Sequence, residues 1–385
     1  MLKLIQNVDI YAPEHLGVKD VLIAGKKVEK ITEPGELASL AEALDMEVWD
    51  GEGLILTPGF VDCHVHILGG GGEGGFANRT PEATKEGLNK YGVTTVVGCL
   101  GTDGIARDMC ALIAKAKGLN SQGMTAYCYT GSYQIPVRTL TGSITKDIMM
   151  VEECIGTGEI AISDHRSSQP TYEEFTRMTA ETRLGGMLSG KAGVINIHVG
   201  DGKRCLDFLE RTLEETEIPA AQFLPTHINR NAMLFDKAVT YAKKGGYVDF
   251  TGYGDYDSEA DQDKGKVRVS EGIARMLSEG VDISHISISS DGQGSLPVFK
   301  DGVLTGMGVG TCECLLQEVR DCVCHAGIPL ETALCPITSS PAEHLQLSGK
   351  GRVAAGYDAD FCILSKDLRI RKVYALGETA FECGC

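Results

Sequence analysis

The sequence predicts a (β/α)8 TIM barrel carrying a small β-sandwich domain formed by both termini. Three observations point there. Eight short, β-rich apolar runs alternate with helical patterns through the middle of the chain. Both ends have a texture of short strands and turns, too little for either to bury a core alone. Histidines and an aspartate fall at the same end of several of the runs.

The N-terminal strands are "KLIQNVDIYAP", "KDVLIAGKKVEKI" and "MEVWDGEGLILTPG"; "GRVAAGYDADFCILSKD" and "RIRKVYALGETAF" repeat the texture at the other end. Residues 1–56 and 350–385 are therefore expected to pair into one β-sandwich domain, leaving 57–349 for the barrel. The eight barrel strands read as "GFVDCHVH", "TTVVGCL", "TAYCYTG", "GEIAIS", "GVINIHV", "FLPTHI", "YVDFTGY" and "ISISSDG". Amphipathic segments lie between them. One is "TPEATKEGLNKYG", expected to open with Thr80 as N-cap and Pro81 in the first turn. No internal repeat or low-complexity segment interrupts the pattern.

A chain of 385 residues suits a large domain plus a smaller one. Its 36 Lys+Arg against 53 Asp+Glu give a net charge of −17, which argues against nucleic acid or an anionic membrane as partner. The start, "MLKLIQNVDIYAPEHLG", has no apolar core of signal-peptide length, and no later segment is long and apolar enough to span a bilayer. The 14 cysteines read as reduced thiols of a cytoplasmic enzyme. Three pairs are one residue apart (Cys312 and Cys314, Cys322 and Cys324, Cys383 and Cys385), without the spacing of a zinc knuckle.

Strand 1 ends in His64 and His66, two residues apart and hence on one side of a strand. Strand 5 ends in His198, strand 6 in His227 and strand 8 in Asp291. The ends of barrel strands are where active sites form, and imidazoles with a carboxylate are metal-type ligands. The remaining histidines fall elsewhere: His15 in a sandwich turn, His285 at the start of strand 8, His325 and His344 in helices or loops, and His165 just past strand 4.

"PGFVDCHVH", followed by those histidines and Asp291, resembles the amidohydrolase superfamily of metal-dependent hydrolases. "HILGGGGEGG", "TGSYQIPVRTLTGS", "AISDHRSS", "PTHINRN" and "SSDGQGSLP" narrow the resemblance to the isoaspartyl dipeptidases, over nearly the whole chain. The resemblance implies hydrolysis of the isopeptide bond of β-aspartyl dipeptides. It implies two zinc ions per subunit, one held by His64, His66 and Asp291 and the other by His198 and His227. A hydroxide shared by the metals would attack, Tyr133 would donate to the oxyanion, and Asp291 would serve as general base and then acid.

One position departs from the family's pattern. Its metals are bridged by a carboxylated lysine seven residues before an arginine; counting back from Arg166 lands on Glu159, and no lysine lies between Asp147 and Lys191. A glutamate has two oxygens with which to bridge but is shorter, so either Glu159 bridges or it sits beside a one-metal site.

By the same resemblance Glu73, in the glycine-rich loop after strand 1, binds the substrate's α-ammonium. Gly71, Thr102 and Ser295 receive its α-carboxylate, and Arg166 and Arg230 the carboxylate of the leaving amino acid. The family likeness also implies a homo-oligomer, with an octamer as one form. Two other readings stay open. One is a different amidohydrolase activity, a cyclic amidase or an N-acyl amino acid deacylase. The other is a barrel that has lost catalysis and serves as a metal-binding scaffold.

Overall fold

The computed structural model describes residues 2–254, 265–300 and 303–384. Eight parallel strands follow one another as Phe60–Val65, Val93–Gly98, Thr125–Thr130, Cys154–Ile162, Val194–Val199, Phe223–Thr226, Val248–Thr251 and Ile286–Ser289. We number them barrel strands 1 to 8. Strands 1 to 6 form one parallel sheet and strands 7 and 8 a parallel pair. The ring closes on one side where the His66 N–H donates to Gly292 O at 2.9 Å, and on the other where Ile228 N–H meets Asp249 O.

A helix follows each strand, from Lys85–Asn89 after strand 1 to Glu313–Cys324 after strand 8. Side-chain caps fix where several begin: Asp108, Ser143 and Asn231 each accept from a backbone N–H three residues on, and Thr171 with Glu174 forms a capping box. The main core fills the layer between strands and helices, with Phe175, Phe223, Phe235 and Phe250 among its largest buried side chains.

The first helix starts later than the sequence predicts. Thr84, not Thr80, is its N-cap, accepting from Gly87 N–H. Thr80 is buried and accepts from Gly70 N–H while donating to Gln293 O. Its hydroxyl pins the loop after strand 1 to the loop after strand 8, so it is not available to a helix end.

The termini join as expected. Strand Ile55–Pro58 lies between the N-terminal strand Leu2–Tyr11 and the C-terminal strand Phe361–Leu364, with Leu56 opposite Ile363. One eight-stranded sheet results, and Ile5, Val21, Ile23, Leu56, Phe361 and Tyr374 share its core. His15 opens the strand His15–Ala24, stacked on Tyr11, instead of lying in a turn. Among the described residues no helix is long and apolar enough to cross a membrane. The described cysteines are free thiols; Cys385 lies outside the described residues.

Candidate active site and metal centre

Val65 packs into the outer core, which turns its neighbours His64 and His66 to the other side of strand 1. His66 Nε2 lies 3.0 Å from Asp291 Oδ1 and 3.7 Å from Glu159 Oε2. His64 Nε2 lies 3.4 Å from the same Glu159 oxygen and 3.6 Å from Asp291 Oδ1. The second oxygen of Glu159 faces the other pair: Oε1 is 2.8 Å from His198 Nδ1 and 3.4 Å from His227 Nε2. One carboxylate thus stands between two pairs of imidazoles.

A local irregularity puts it there. On strand 4 Thr157 pairs with Ile195 and Ile160 with Ile197, so Gly158 and Glu159 together oppose Asn196. Such a bulge re-aims side chains, and here it aims Glu159 into the barrel. Glycine is required beside it, because a Cβ on Gly158 would meet Asn196 O at 2.8 Å. His227 and Asp291 carry φ of +64° and +49°, a left-handed backbone that costs a non-glycine residue roughly 1–3 kcal/mol and gathers at functional sites.

His64 Nε2, Glu159 Oε2 and Asp291 Oδ1 are buried and have no hydrogen-bond partner among the described residues. Proteins rarely leave buried polar atoms unpaired, still less three aimed at one another. The ligand atoms of His64, His66, Cys99 and Glu159 lie within 4.8 Å of one another, and so do those of Glu159, His198 and His227. Imidazole with carboxylate is a donor set that zinc accepts. The cluster fits a metal centre.

Its electrostatics agree. Burial favours neutral imidazole, yet Cys99 and Glu159 around His64, and Cys99 and Asp291 around His66, hold both pKa values well above the ordinary histidine range. That half of the pocket attracts positive charge. On the other side burial pushes His227 down to about 3 against the pull of Glu159, with His198 and Arg230 adding to the effect. A neutral imidazole is the form that binds a metal.

The cluster underlies a cavity of about 1160 Å³, with His64 and Glu159 buried beneath it. Gly71, Glu73, Thr102, Arg166, Arg230 and Ser295 all line it. Glu73 Oε1 accepts from Thr102 Oγ1 at 2.7 Å and from Arg166 Nη1 at 3.1 Å, while its Oε2 is buried with no partner among the described residues. Burial pushes the Glu73 carboxyl up, but the bonds from Thr102 and Arg166 outweigh it and leave the pKa below its usual value. Arg230 has a buried Nε with no partner among the described residues. Tyr133 OH is 2.9 Å from His198 Nδ1, and burial keeps this phenol protonated far above its usual pKa.

A family model, the Amidohydrolase family, matches residues 192–380. The crystal structure of a beta-aspartyl dipeptidase from Fervidobacterium islandicum AW-1, in complex with beta-Asp-Leu, superposes with a TM-score of 0.90 at 43% identity, covering 99% of this chain and 97% of that one. The chain belongs to the amidohydrolase family, among its beta-aspartyl dipeptidases. Dihydropyrimidinase from Brevibacillus agri NCHU1002 shares the fold, with a TM-score of 0.66 at 16% identity over 98% of this chain and 95% of its own. A dihydroorotase from Staphylococcus epidermidis is 35% identical over 25% of this chain, a stretch that spans 21% of the dihydroorotase.

In this amidohydrolase the sequence reading passed over residues that touch the metal-type histidines from behind. Asn196 Oδ1 lies 3.0 Å from His64 Nδ1, Thr251 Oγ1 lies 2.5 Å from His227 Nδ1, and Cys99 Sγ lies 3.7 Å from His66 Nδ1. Asp164 Oδ2 lies 2.9 Å from His198 Nε2. Only Asp164 carried a signal, as a carboxylate two residues before Arg166 at a strand end. His165 is exposed on the cavity rim, and His325 lines the same cavity.

Proposed function

We propose that this amidohydrolase cleaves the isopeptide bond of β-aspartyl dipeptides, releasing aspartate and a free amino acid, with two zinc ions per subunit. The charge pattern of the cavity carries the substrate assignment. Around one metal cluster stand a carboxylate with an unpaired oxygen, Glu73, and two guanidinium groups, Arg166 and Arg230. A β-aspartyl dipeptide brings an ammonium and two carboxylates to such a surface. A cyclic amide or an N-acyl amino acid brings no ammonium for Glu73. The beta-Asp-Leu bound to the Fervidobacterium relative supports the same substrate class.

In this reading His64, His66 and Asp291 would hold one ion and His198 and His227 the other, and Glu159, whose two oxygens face the two histidine pairs, would be the carboxylate shared between them. Bound there, the ions acidify water to near neutral pH and polarise the carbonyl. Glu73 takes the α-ammonium, while the backbone N–H of Gly71 and the hydroxyls of Thr102 and Ser295 take the α-carboxylate. Arg166 and Arg230 hold the carboxylate on the leaving side by charge-assisted hydrogen bonds. Tyr133, protonated and beside His198, donates to the oxygen on which charge develops. Asp291 accepts the proton of the attacking water and delivers it to the departing amine, which is a poor leaving group until protonated.

The same reading keeps residues 57–349 as the catalytic barrel, with 1–56 and 350–385 as its accessory domain. It makes the protein a cytoplasmic homo-oligomer, in keeping with its free thiols. The test is a comparison of substrates. Zinc-loaded protein should hydrolyse β-Asp-Leu and leave dihydroorotate and N-acetyl-leucine essentially intact. Turnover of either of those above β-Asp-Leu would reassign the activity.

A further inference from the structure

Each of the four metal-type histidines turns one ring nitrogen toward the cluster and the other toward a partner behind it. For His64, His66 and His227 that partner is an amide, a thiol or a hydroxyl. For His198 it is a full carboxylate, Asp164, which is buried. The same carboxylate has a second task. Arg166 grips it with two parallel bonds, Nε to Oδ1 at 3.0 Å and Nη2 to Oδ2 at 2.8 Å, and the Arg166 backbone N–H adds a third at 2.7 Å. The remaining Arg166 nitrogen, Nη1, reaches Glu73.

We infer that Asp164 is a positioning residue that couples the leaving-group carboxylate site to the metal centre. The inference rests on the reading of Arg166 as a substrate ligand and His198 as a metal ligand. A carboxylate behind a ligating imidazole accepts its outer N–H, leaves the inner nitrogen free to bind, and makes it a stronger donor; loss of such a partner typically costs 10–100-fold in metal affinity. Here Asp164 Oδ2 faces His198 Nε2, so Nδ1 is the nitrogen left facing Glu159. The fork of Arg166 on the same carboxylate fixes the plane of the guanidinium and directs Nη1 into the cavity. A change at Asp164 is therefore felt on both sides: at the ion held by His198, and at the arginine that reads the substrate's far end.

The experiment uses the full-length, zinc-loaded protein and two readouts. One is zinc retention against a competing chelator, followed by elemental analysis. The other is the ratio of kcat/KM for β-Asp-Leu to that for β-Asp-leucinamide, which lacks the leaving-side carboxylate. Asp164→Asn should release one of its zinc ions at 10–100-fold lower chelator concentration and reduce the substrate ratio at least tenfold. Arg166→Met should reduce the ratio and lower zinc retention less than Asp164→Asn does, since the carboxylate behind His198 remains. A purely structural role for Asp164 would lower Tm without moving the ratio.

Wild-type zinc retention in Asp164→Asn overturns the coupling, and so does an unchanged substrate ratio. Parent protein that binds zinc but does not cleave β-Asp-Leu refutes the substrate reading instead, and the zinc arm then still decides the link from Asp164 to His198.

Discussion

The two ends of the barrel hold histidines in opposite company. At the C-terminal end four imidazoles surround Glu159 and Asp291, and burial is opposed by negative charge. At the N-terminal end His285 and His344 stack on Tyr247, with ring centroids 4.5 Å and 3.7 Å away. There burial is unopposed, and it pushes His344 down to about 3, with His285 adding to the effect. Burial beside an aromatic ring, with no carboxylate to oppose it, keeps His344 neutral near pH 7, whereas carboxylates set among imidazoles give a site that attracts cations. Residue type is shared between the two ends; the acids make the difference.

Removing the acids should therefore abolish that difference, and Glu159 is the most consequential of them. Glu159→Gln keeps the shape but takes away the charge facing both histidine pairs. We expect it to lose most of its zinc by elemental analysis and nearly all activity. In the parent, zinc alone should restore the metal-stripped enzyme, with no gain from bicarbonate, because no lysine is there to be carboxylated. A strict bicarbonate requirement would contradict the assignment of Glu159.

Asp291→Asn comes next. It removes the group proposed to move the proton, and an acid–base residue of this kind contributes about 10²–10⁴-fold. The expected result is a kcat for β-Asp-Leu about 10³-fold down, with Tm within a few degrees of the parent. Near-normal turnover would remove Asp291 from the mechanism. Tyr133→Phe should cost less, about a few hundredfold in kcat with little change in KM, since one oxyanion donor is worth roughly 3–4 kcal/mol. A rise in KM at constant kcat would instead place the phenol in ground-state binding.

The division between the ends was visible in the sequence to an instructive degree. All eight barrel strands lie where apolar β-rich runs predict them, because parallel strands buried on both faces leave a strong local signal. The four clustered histidines and Asp291 were separable from His285 by position at the end or the start of a strand, and from His344 because it falls in a helix and not on a strand. What the sequence could not display were features made by juxtaposition. The bulge at Gly158 and Glu159 exists only against Asn196, so residue counting showed a shorter side chain than the family's lysine and not how it arrives. Asn196, Thr251 and Cys99 approach the imidazoles from other strands, with no motif to mark them. Thr80 and Thr84 both suit a helix start, and only the loop contacts of Thr80 decide between them.

The smallest expected effect sharpens the comparison from the other end. His344 Nε2 is buried without a partner among the described residues, so His344→Phe removes a polar atom left unpaired there while retaining a ring to stack on Tyr247. Near pH 7 we expect little change in stability and none in activity. Acid should separate the two proteins. The His344 pKa is about 3 when folded and 6.5 in the unconstrained side chain, so below pH 6.5 the unfolded chain binds a proton that the folded chain refuses. The stability that depends on neutral His344 is thus complete above 6.5 and is lost as pH falls toward 3. The loss is about 1.4 kcal/mol per pH unit, or about 3 kcal/mol at pH 4.5. Urea unfolding of both proteins from pH 7.5 to 4.5 reads it as a difference, which cancels the acid sensitivity of the metal site common to both. The variant should become the more stable of the two as pH falls. Parallel curves would mean that the N-terminal end accommodates a charged imidazole, and that carboxylates are not what distinguishes the two ends.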